Sequence, residues 1–160
     1  MNKTTQLKKL LLQRKALPCP GVYDALSARM VEYCGFQACQ ISGFGVSASS
    51  LGMTDASFTS LEEIVRITSN IVRAVDIPVM TDADTGYGNA VNVWWTTKRL
   101  EETGAAGMNL EDQCFPKRCG HMAGKQLISL EEMVGKIRAA VDAKRDPDFV
   151  INARTDAAYV

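Results

Sequence analysis

Pro78-Val79-Met80-Thr81-Asp82-Ala83-Asp84 is the stretch that decides the fold: a short run without a polar face that turns abruptly acidic. A strand of that kind is buried on both faces, and such strands belong to parallel sheets covered by helices. Working outward, the pattern recurs at 19–22, 38–41, 107–110 and 149–153, so five strands alternate with amphipathic stretches. That alternation predicts βα units around a parallel sheet.

The intervals read as helices. After Ser60 the positions Leu61, Ile64, Val65, Val72 and Val75 follow helical spacing, and Ser60 with Glu63 makes a capping box. Ser129 with Glu132 opens another helix, whose Leu130, Met133, Val134, Ile137 and Val141 form one apolar stripe. Leu26, Met30 and Tyr33 mark a helix after the first strand. Residues 91–102 form a less regular one, whose Trp94 and Trp95 are expected to pack against the sheet or a neighbouring subunit. Leu7, Leu10 and Leu11 predict an extra helix over about 4–15, ahead of the first strand.

The 160 residues, 46% of them apolar, suffice for a single domain with a sizeable core. Four complete βα pairs and a fifth strand leave two architectures open. One is an open doubly wound sheet of five strands, which this length completes. The other is a (β/α)8 barrel, which typically needs about 250 residues; residues 1–160 are then its N-terminal part, about the first four and a half units, and the chain is a fragment. With 18 Lys+Arg against 18 Asp+Glu, a nucleic-acid partner that depends on phosphate neutralisation is not expected. No apolar run approaches the ~20 residues of a membrane helix, and the polar start has no signal-like apolar core, so a cytoplasmic location is expected. The five cysteines lack zinc-finger spacing and read as free thiols. No Gly-x-Gly-x-x-Gly or P-loop element is present, which argues against a dinucleotide enzyme or a nucleotide triphosphatase.

Acidic residues gather at the carboxyl ends of the strands. The third strand runs into Asp82 and Asp84, the fourth into Glu111 and Asp112, and the fifth into Arg154-Thr155-Asp156. The second runs into Ser42-Gly43, with Asp55 further along the same connection. In a parallel barrel or sheet these ends share the face that carries ligands. Crowded carboxylates call for a cation, and Mg²⁺ suits carboxylates and water with few protein ligands. Capping of a helix near Asn89 could explain Asp84 alone. It does not explain Asp82, Asp84 and Glu111 together.

A second segment, Lys117-Arg118-Cys119-Gly120-His121, lies in a connection of about sixteen residues before Ser129, long enough to be a lid. A cysteine flanked by Lys, Arg and His suits a proton donor or nucleophile working near neutral pH.

These residues resemble the isocitrate lyase and phosphoenolpyruvate mutase superfamily. Lys117-Arg118-Cys119-Gly120-His121 is similar to its signature, and Asp82-Ala83-Asp84-Thr85-Gly86-Tyr87-Gly88, Leu110-Glu111-Asp112-Gln113 and Ala153-Arg154-Thr155-Asp156-Ala157 resemble its other blocks in the same order. The segments 20–28 and 42–46 fit as well.

The resemblance implies a (β/α)8 barrel, assembled as a homotetramer, that acts on small 2-oxo or 2-hydroxy acids with Mg²⁺, or Mn²⁺ in its place. It implies Asp82 as direct metal ligand, with Asp84 and Glu111 holding the metal through water. Ser42, Gly43 and Phe44 would bind the carboxylate and carbonyl oxygens of a pyruvate-like group, and Arg154 would clamp a substrate carboxylate. Asp55 would be the flexible-loop carboxylate near substrate and metal, and Cys119 the acid on a gating loop that also carries the catalytic-site residues Lys117 and His121.

Gln40 stands where methylisocitrate lyases have Tyr, and the cysteine block departs from phosphonopyruvate mutases and hydrolases. The expected activity is therefore Mg²⁺-dependent C–C cleavage of a substituted malate or isocitrate to a 2-oxo acid and a second carboxylic acid. A carboxyphosphonoenolpyruvate mutase or an oxaloacetate hydrolase of the same superfamily is the alternative. From another class, a non-catalytic half barrel remains open.

Overall fold

A computed structural model of the chain describes residues 2–13, 15–120 and 122–160. Its sheet consists of β1 (Gly21–Val22), β2 (Cys39–Ile41), β3 (Val79–Asp82), β4 (Gly107–Glu111) and β5 (Val150–Arg154), each within two residues of the sequence expectation. All four neighbouring pairs are parallel and the spatial order is β1-β2-β3-β4-β5. A doubly wound sheet reverses its strand order at a switch point. A barrel wall advances one strand at a time in one direction, as here, so the open-sheet alternative falls.

Strand alternation sorts the side chains onto two faces. Val79, Met108, Leu110 and Ile151 join Ile64, Ile67 and Ile71 of α4 (Leu61–Ala74) and Met133 of α6 (Leu130–Ala143) in the main core between sheet and helices. The other phase lines the inner, barrel side. Its lower level is apolar: Met80, Ala38 and Val150, together with Ala106 just ahead of β4, pack under Leu7. Above it the register sets Asp82 beside Asn109, Asn109 beside Asn152, and Glu111 beside Arg154. The Asn152 amide donates to Asn109 Oδ1 at 2.7 Å.

β4 approaches its neighbours closely because Gly107 has no side chain. A Cβ there would lie 2.5 Å from the Val150 carbonyl oxygen and 2.7 Å from Met80 Sδ. Gly107→Ala is therefore expected to destabilise the chain by at least about 1–3 kcal/mol, read from its urea midpoint, because the backbone of β5 cannot retreat without breaking its ladder.

The extra helix α1 is present but runs Lys3–Leu12, ending short of the expected residue 15. Val75, the C-cap of α4, is extended, and Lys3 Nζ satisfies carbonyls left at that helix end, donating to Val72 O and Val75 O at 2.9 and 2.5 Å. Thr4 donates to Asp146, and Thr5 and Lys8 donate to Asp148, each at 2.7 Å.

Two helices bury a face the sequence did not indicate, and in α6 the expected stripe is only partly buried, through Met133 and Ile137. In α2 (Ala25–Tyr33), capped by a reciprocal exchange between Asp24 and Ser27, the buried residue is Ala28; Leu26, Met30 and Tyr33 face outward, Tyr33 at 92% exposure. In α6 the sheet side holds Met133, Lys136, Ala140 and Ala143, leaving Leu130 and Val141 exposed. In α5 (Ala90–Glu101) the inner side is Val93, Thr96, Thr97 and Leu100. Trp94 and Trp95 therefore do not pack on the sheet. Lys98 Nζ lies 3.9 Å above the Trp94 ring and Arg99 Cζ 5.7 Å above that of Trp95. Apolar spacing shows which positions share a face, not which face is covered.

The sequence reading also missed α3 (Gly43–Leu51), whose glycines and serines disguise it. No helix among the described residues is long and apolar enough to cross a membrane.

Candidate functional site

β2 ends at Ile41, and Ser42 turns the chain directly into α3 by accepting a hydrogen bond from Gly45 N at 3.1 Å. This aims the first helical N–H, that of Gly43, at the last residue of β3: it donates to Asp82 Oδ2 at 3.0 Å. The other Asp82 oxygen accepts from Asp84 N at 2.8 Å. Asp84 adopts a left-handed backbone (φ 52°), tolerated by aspartate, and its Oδ1 accepts from Thr85 N at 2.7 Å. Its carbonyl accepts from Glu111 N at 3.0 Å, tying the β3 loop to β4. Asn89, paired with Asn92, caps α5, so Asp84 is not its cap.

The loop after β4 brings Lys117 back over these acids. Its Nζ lies 3.0 Å from Asp55, 3.7 Å from Asp84 and 3.7 Å from Glu111, and the residue is only 5% exposed. Ser57 joins the same group: its hydroxyl reaches both Asp84 oxygens, at 3.4 and 3.3 Å, and accepts from Lys117 N at 3.3 Å. Arg154 approaches from β5, with Nη1 3.5 Å from Glu111 and Nη2 3.2 Å from Asp156. Gly120 makes room for it, since a Cβ there would lie 2.5 Å from Arg154 Nη2.

Asp55, Asp82, Asp84 and Glu111 thus face two cations, Lys117 and Arg154, and negative charge is left over. Burial pushes Asp84 up to about 6, with the charges of Asp82 and Asp55 adding to it and Lys117 opposing. Burial likewise pushes Glu111 up to about 7, with Asp82 and Asp84 adding and Lys117 and Arg154 opposing. Burial works against the Lys117 ammonium, but the carboxylates of Asp82, Asp84, Glu111 and Asp55 outweigh it and raise its pKa above the ordinary lysine value.

The donor set suits a hard divalent cation. A cavity of about 10 Å³ between Gly43, Asp55, Asp82, Asp84 and Tyr87 has room for a single water-sized occupant. Among the described residues no three His, Cys, Asp or Glu are grouped to hold an ion directly. Mg²⁺ accepts such an arrangement, because it keeps several waters and takes one or two carboxylates.

The expected site residues Asp55, Asp82, Asp84, Glu111, Lys117, Arg154 and Gly43 therefore converge. Ser42 acts as a helix cap, and Phe44 is left 54% exposed. Cys119 is buried two residues beyond Lys117. His121 lies outside the described residues.

Sequence reasoning missed Ser57 and the inner pair Asn109 and Asn152, and gave no role to Gln113 or Asp156, which it quoted only as members of the strand-end blocks. The signal for the asparagine pair was available, since each stands two residues before a rim residue on the same strand face, Glu111 and Arg154.

Comparison with known proteins agrees with this geometry. The family model described as phosphoenolpyruvate phosphomutase matches residues 7–160. The chain is 48% identical to 2,3-dimethylmalate lyase of Eubacterium barkeri over 157 residues, 98% of this chain and 54% of that protein. The structure of oxaloacetate acetylhydrolase in complex with the inhibitor 3,3-difluorooxalacetate superposes with a TM-score of 0.93 at 39% identity, over 99% of this chain and 55% of that one. A phosphonopyruvate hydrolase complex with oxalate and Mg²⁺ gives a TM-score of 0.90 at 36% identity, over 98% and 53%. The chain spans about half the length of the relatives it matches. Ordered strands, a carboxylate rim and these likenesses agree: the chain belongs to the phosphoenolpyruvate phosphomutase family, within the PEP mutase/isocitrate lyase superfamily.

Proposed function

We propose that the chain carries the cation-binding part of a Mg²⁺-dependent C–C lyase that cleaves a substituted malate or isocitrate into a 2-oxo acid, such as pyruvate, and a second carboxylic acid. The observation that carries this reading is the convergence of Asp55, Asp82, Asp84 and Glu111, from three separate segments, on Lys117 at the carboxyl rim of the strands. Asp82 would hold the metal directly, and Asp84 and Glu111 through water. Mn²⁺ is an alternative occupant. A bound Mg²⁺ would supply charge stabilisation for the negative oxygen that develops as the C–C bond breaks.

The chain's own residues account for the rest. Arg154, 44% exposed at its side chain, presents a guanidinium to a substrate carboxylate at the rim. Ser42, Gly43 and Phe44 sit at the start of α3, where an oxygen-rich group meets the helix N-terminus. As the bond cleaves, a carboxylate of the rim takes the hydroxyl proton, the freed O–H electron pair makes the new carbonyl, and the C–C electron pair leaves with the partner as a carbanion. Cys119 Sγ donates the proton that quenches this carbanion and is left as a thiolate, with Lys117 beside it on the loop. Closure of the loop excludes water during the step.

The names of the relatives support this reading, one being a dimethylmalate lyase and another a complex with oxalate and Mg²⁺. The family likeness to a phosphomutase and the likeness to oxaloacetate acetylhydrolase keep a mutase or an oxaloacetate-cleaving hydrolase as the second reading. Assembly as a homotetramer in the cytoplasm belongs to the same proposal, and the outward apolar residues of α2 and α5 offer surface for subunits to cover.

The test is to feed dimethylmalate, methylisocitrate and oxaloacetate in parallel with and without Mg²⁺, and to repeat the best case with Cys119→Ser. Cleavage is expected to vanish in the variant while Mg²⁺ binding, followed by calorimetry, is retained. Normal turnover by the variant would remove Cys119 as the acid, and preference for oxaloacetate would favour the second reading.

A further inference from the structure

Gln113 has lost nearly all contact with water, at 1% exposure, yet no polar atom of its amide is idle. A glutamine offers one carbonyl acceptor and two N–H donors. Here Oε1 accepts from Arg118 N at 3.0 Å, and Nε2 lies 3.0 Å from Arg118 O, 2.9 Å from Asp156 Oδ2 and 3.2 Å from Glu111 Oε1. The side chain therefore grips both backbone groups of residue 118 from inside the turn, as a neighbouring strand would. The flanking residues on that turn are Lys117 and Cys119.

Asp156, 4% exposed, holds the far side. Its carboxylate accepts from Gln113, lies 3.2 Å from Arg154 Nη2 and 3.8 Å from Lys125 Nζ, and its own N–H donates to Asp112 at 3.1 Å. Gln113 opens the long loop and Lys125 stands near its end. The two stems are joined by Cys114 N to Gln126 O at 2.7 Å and Ile128 N to Asp112 O at 2.9 Å. One buried carboxylate on the segment after β5 thus fastens both ends of the loop.

A buried glutamine adds little to a core that an apolar side chain of similar size fills equally well, so its benefit lies in what the amide orients. We propose that Gln113 and Asp156 are positioning residues that hold the backbone at Arg118, and with it Lys117 and Cys119, over the carboxylate ring, coupling loop closure to β5. The catalytic part of this inference rests on the lyase reading; the loop part does not.

The experiment uses the full chain, with Gln113→Leu and Asp156→Asn as variants. Iodoacetamide labelling resolved peptide by peptide reports Cys119 against Cys39, a core thiol at 0% exposure, and limited trypsin digestion reports cleavage after Arg118. In Gln113→Leu both Cys119 labelling and cleavage after Arg118 are expected to rise about tenfold with Cys39 labelling unchanged, the cost of losing about one net hydrogen bond. Asp156→Asn moves both readouts in the same direction, and decides alone if the first variant does not fold. Where turnover is measurable, kcat falls while KM changes little. Labelling and cleavage at wild-type rates in a folded variant would overturn the proposal, as would Cys39 labelling that rises in step with Cys119. A wild-type chain that takes up no Mg²⁺ in a calorimetric titration, while its variants still show the labelling change, would sink the lyase reading and leave the positioning role standing.

Discussion

Replacing Lys117 by methionine is expected to lower the unfolding free energy by about 3–5 kcal/mol and to abolish turnover, because it leaves buried carboxylates without their central counterion. The side chain is 5% exposed and touches Asp55, Asp84 and Glu111, so water cannot take over its task unless the loop swings away. Asp84 and Glu111, raised to about 6 and about 7, bind protons more tightly folded than unfolded. Such groups favour the folded state while protonated, and that contribution is lost as pH rises through those values. The deficit of the variant should therefore be largest above pH 7 and shrink below pH 6. Urea unfolding followed at both extremes measures it. A pH-independent loss under 1 kcal/mol (below even the usual value of a buried charge, about 3 kcal/mol) would show that Lys117 is not the counterion.

Gly43→Ala should leave the fold standing and cost about 10²-fold in kcat/KM. An added Cβ would collide with Asp82 Oδ2 and stand 3.3 Å from Asp55 Oδ2. The helix cannot back away, because Ser42 pins its first turn and the Gly43 N–H is itself bonded to Asp82. The carboxylate must turn instead, taking with it the oxygen proposed to hold the cation. Alanine is favoured over glycine within helices by up to about 1 kcal/mol, which offsets part of the strain, so the melting temperature moves little while Mg²⁺ affinity falls. Steady-state kinetics and a calorimetric Mg²⁺ titration on the same preparation separate the two effects. Unaltered rates would mean that the position of Asp82 does not matter to the reaction.

The sheet was legible in the sequence because each strand is a short apolar run ended by a polar residue, and the acids were legible because they follow those runs without a gap. Chain order could not choose between barrel and open sheet by strand count alone; the superfamily resemblance chose the barrel, and the sequential pairing of β1 through β5 agrees. The face of α2 was misread, and that of α6 in part, for a physical reason. Ala28, Ala140 and Ala143 fill the tight space against the sheet, while the larger Leu26, Met30 and Leu130 project outward. Gln113 and Asp156 escaped because their partners lie across a loop whose path no local pattern fixes. Lys117 was noticed as a neighbour of Cys119 in the long loop, but nothing on the chain near it foretells that Asp55, sixty-two positions earlier, would meet it at 3.0 Å.

The attachment of α1 bears on the order in which the molecule can assemble. Elsewhere each unit packs chiefly on the one made just before it, so structure can accumulate from β1 onward as the polypeptide is synthesised. α1 is the exception: Thr5 and Lys8 hold Asp148, and Leu7 shares a cluster with Ala106 and Val150. α1 is thus made ahead of all five strands, yet its seat, begun by Ala38, Met80 and the end of α4, is complete only once residue 148 has emerged.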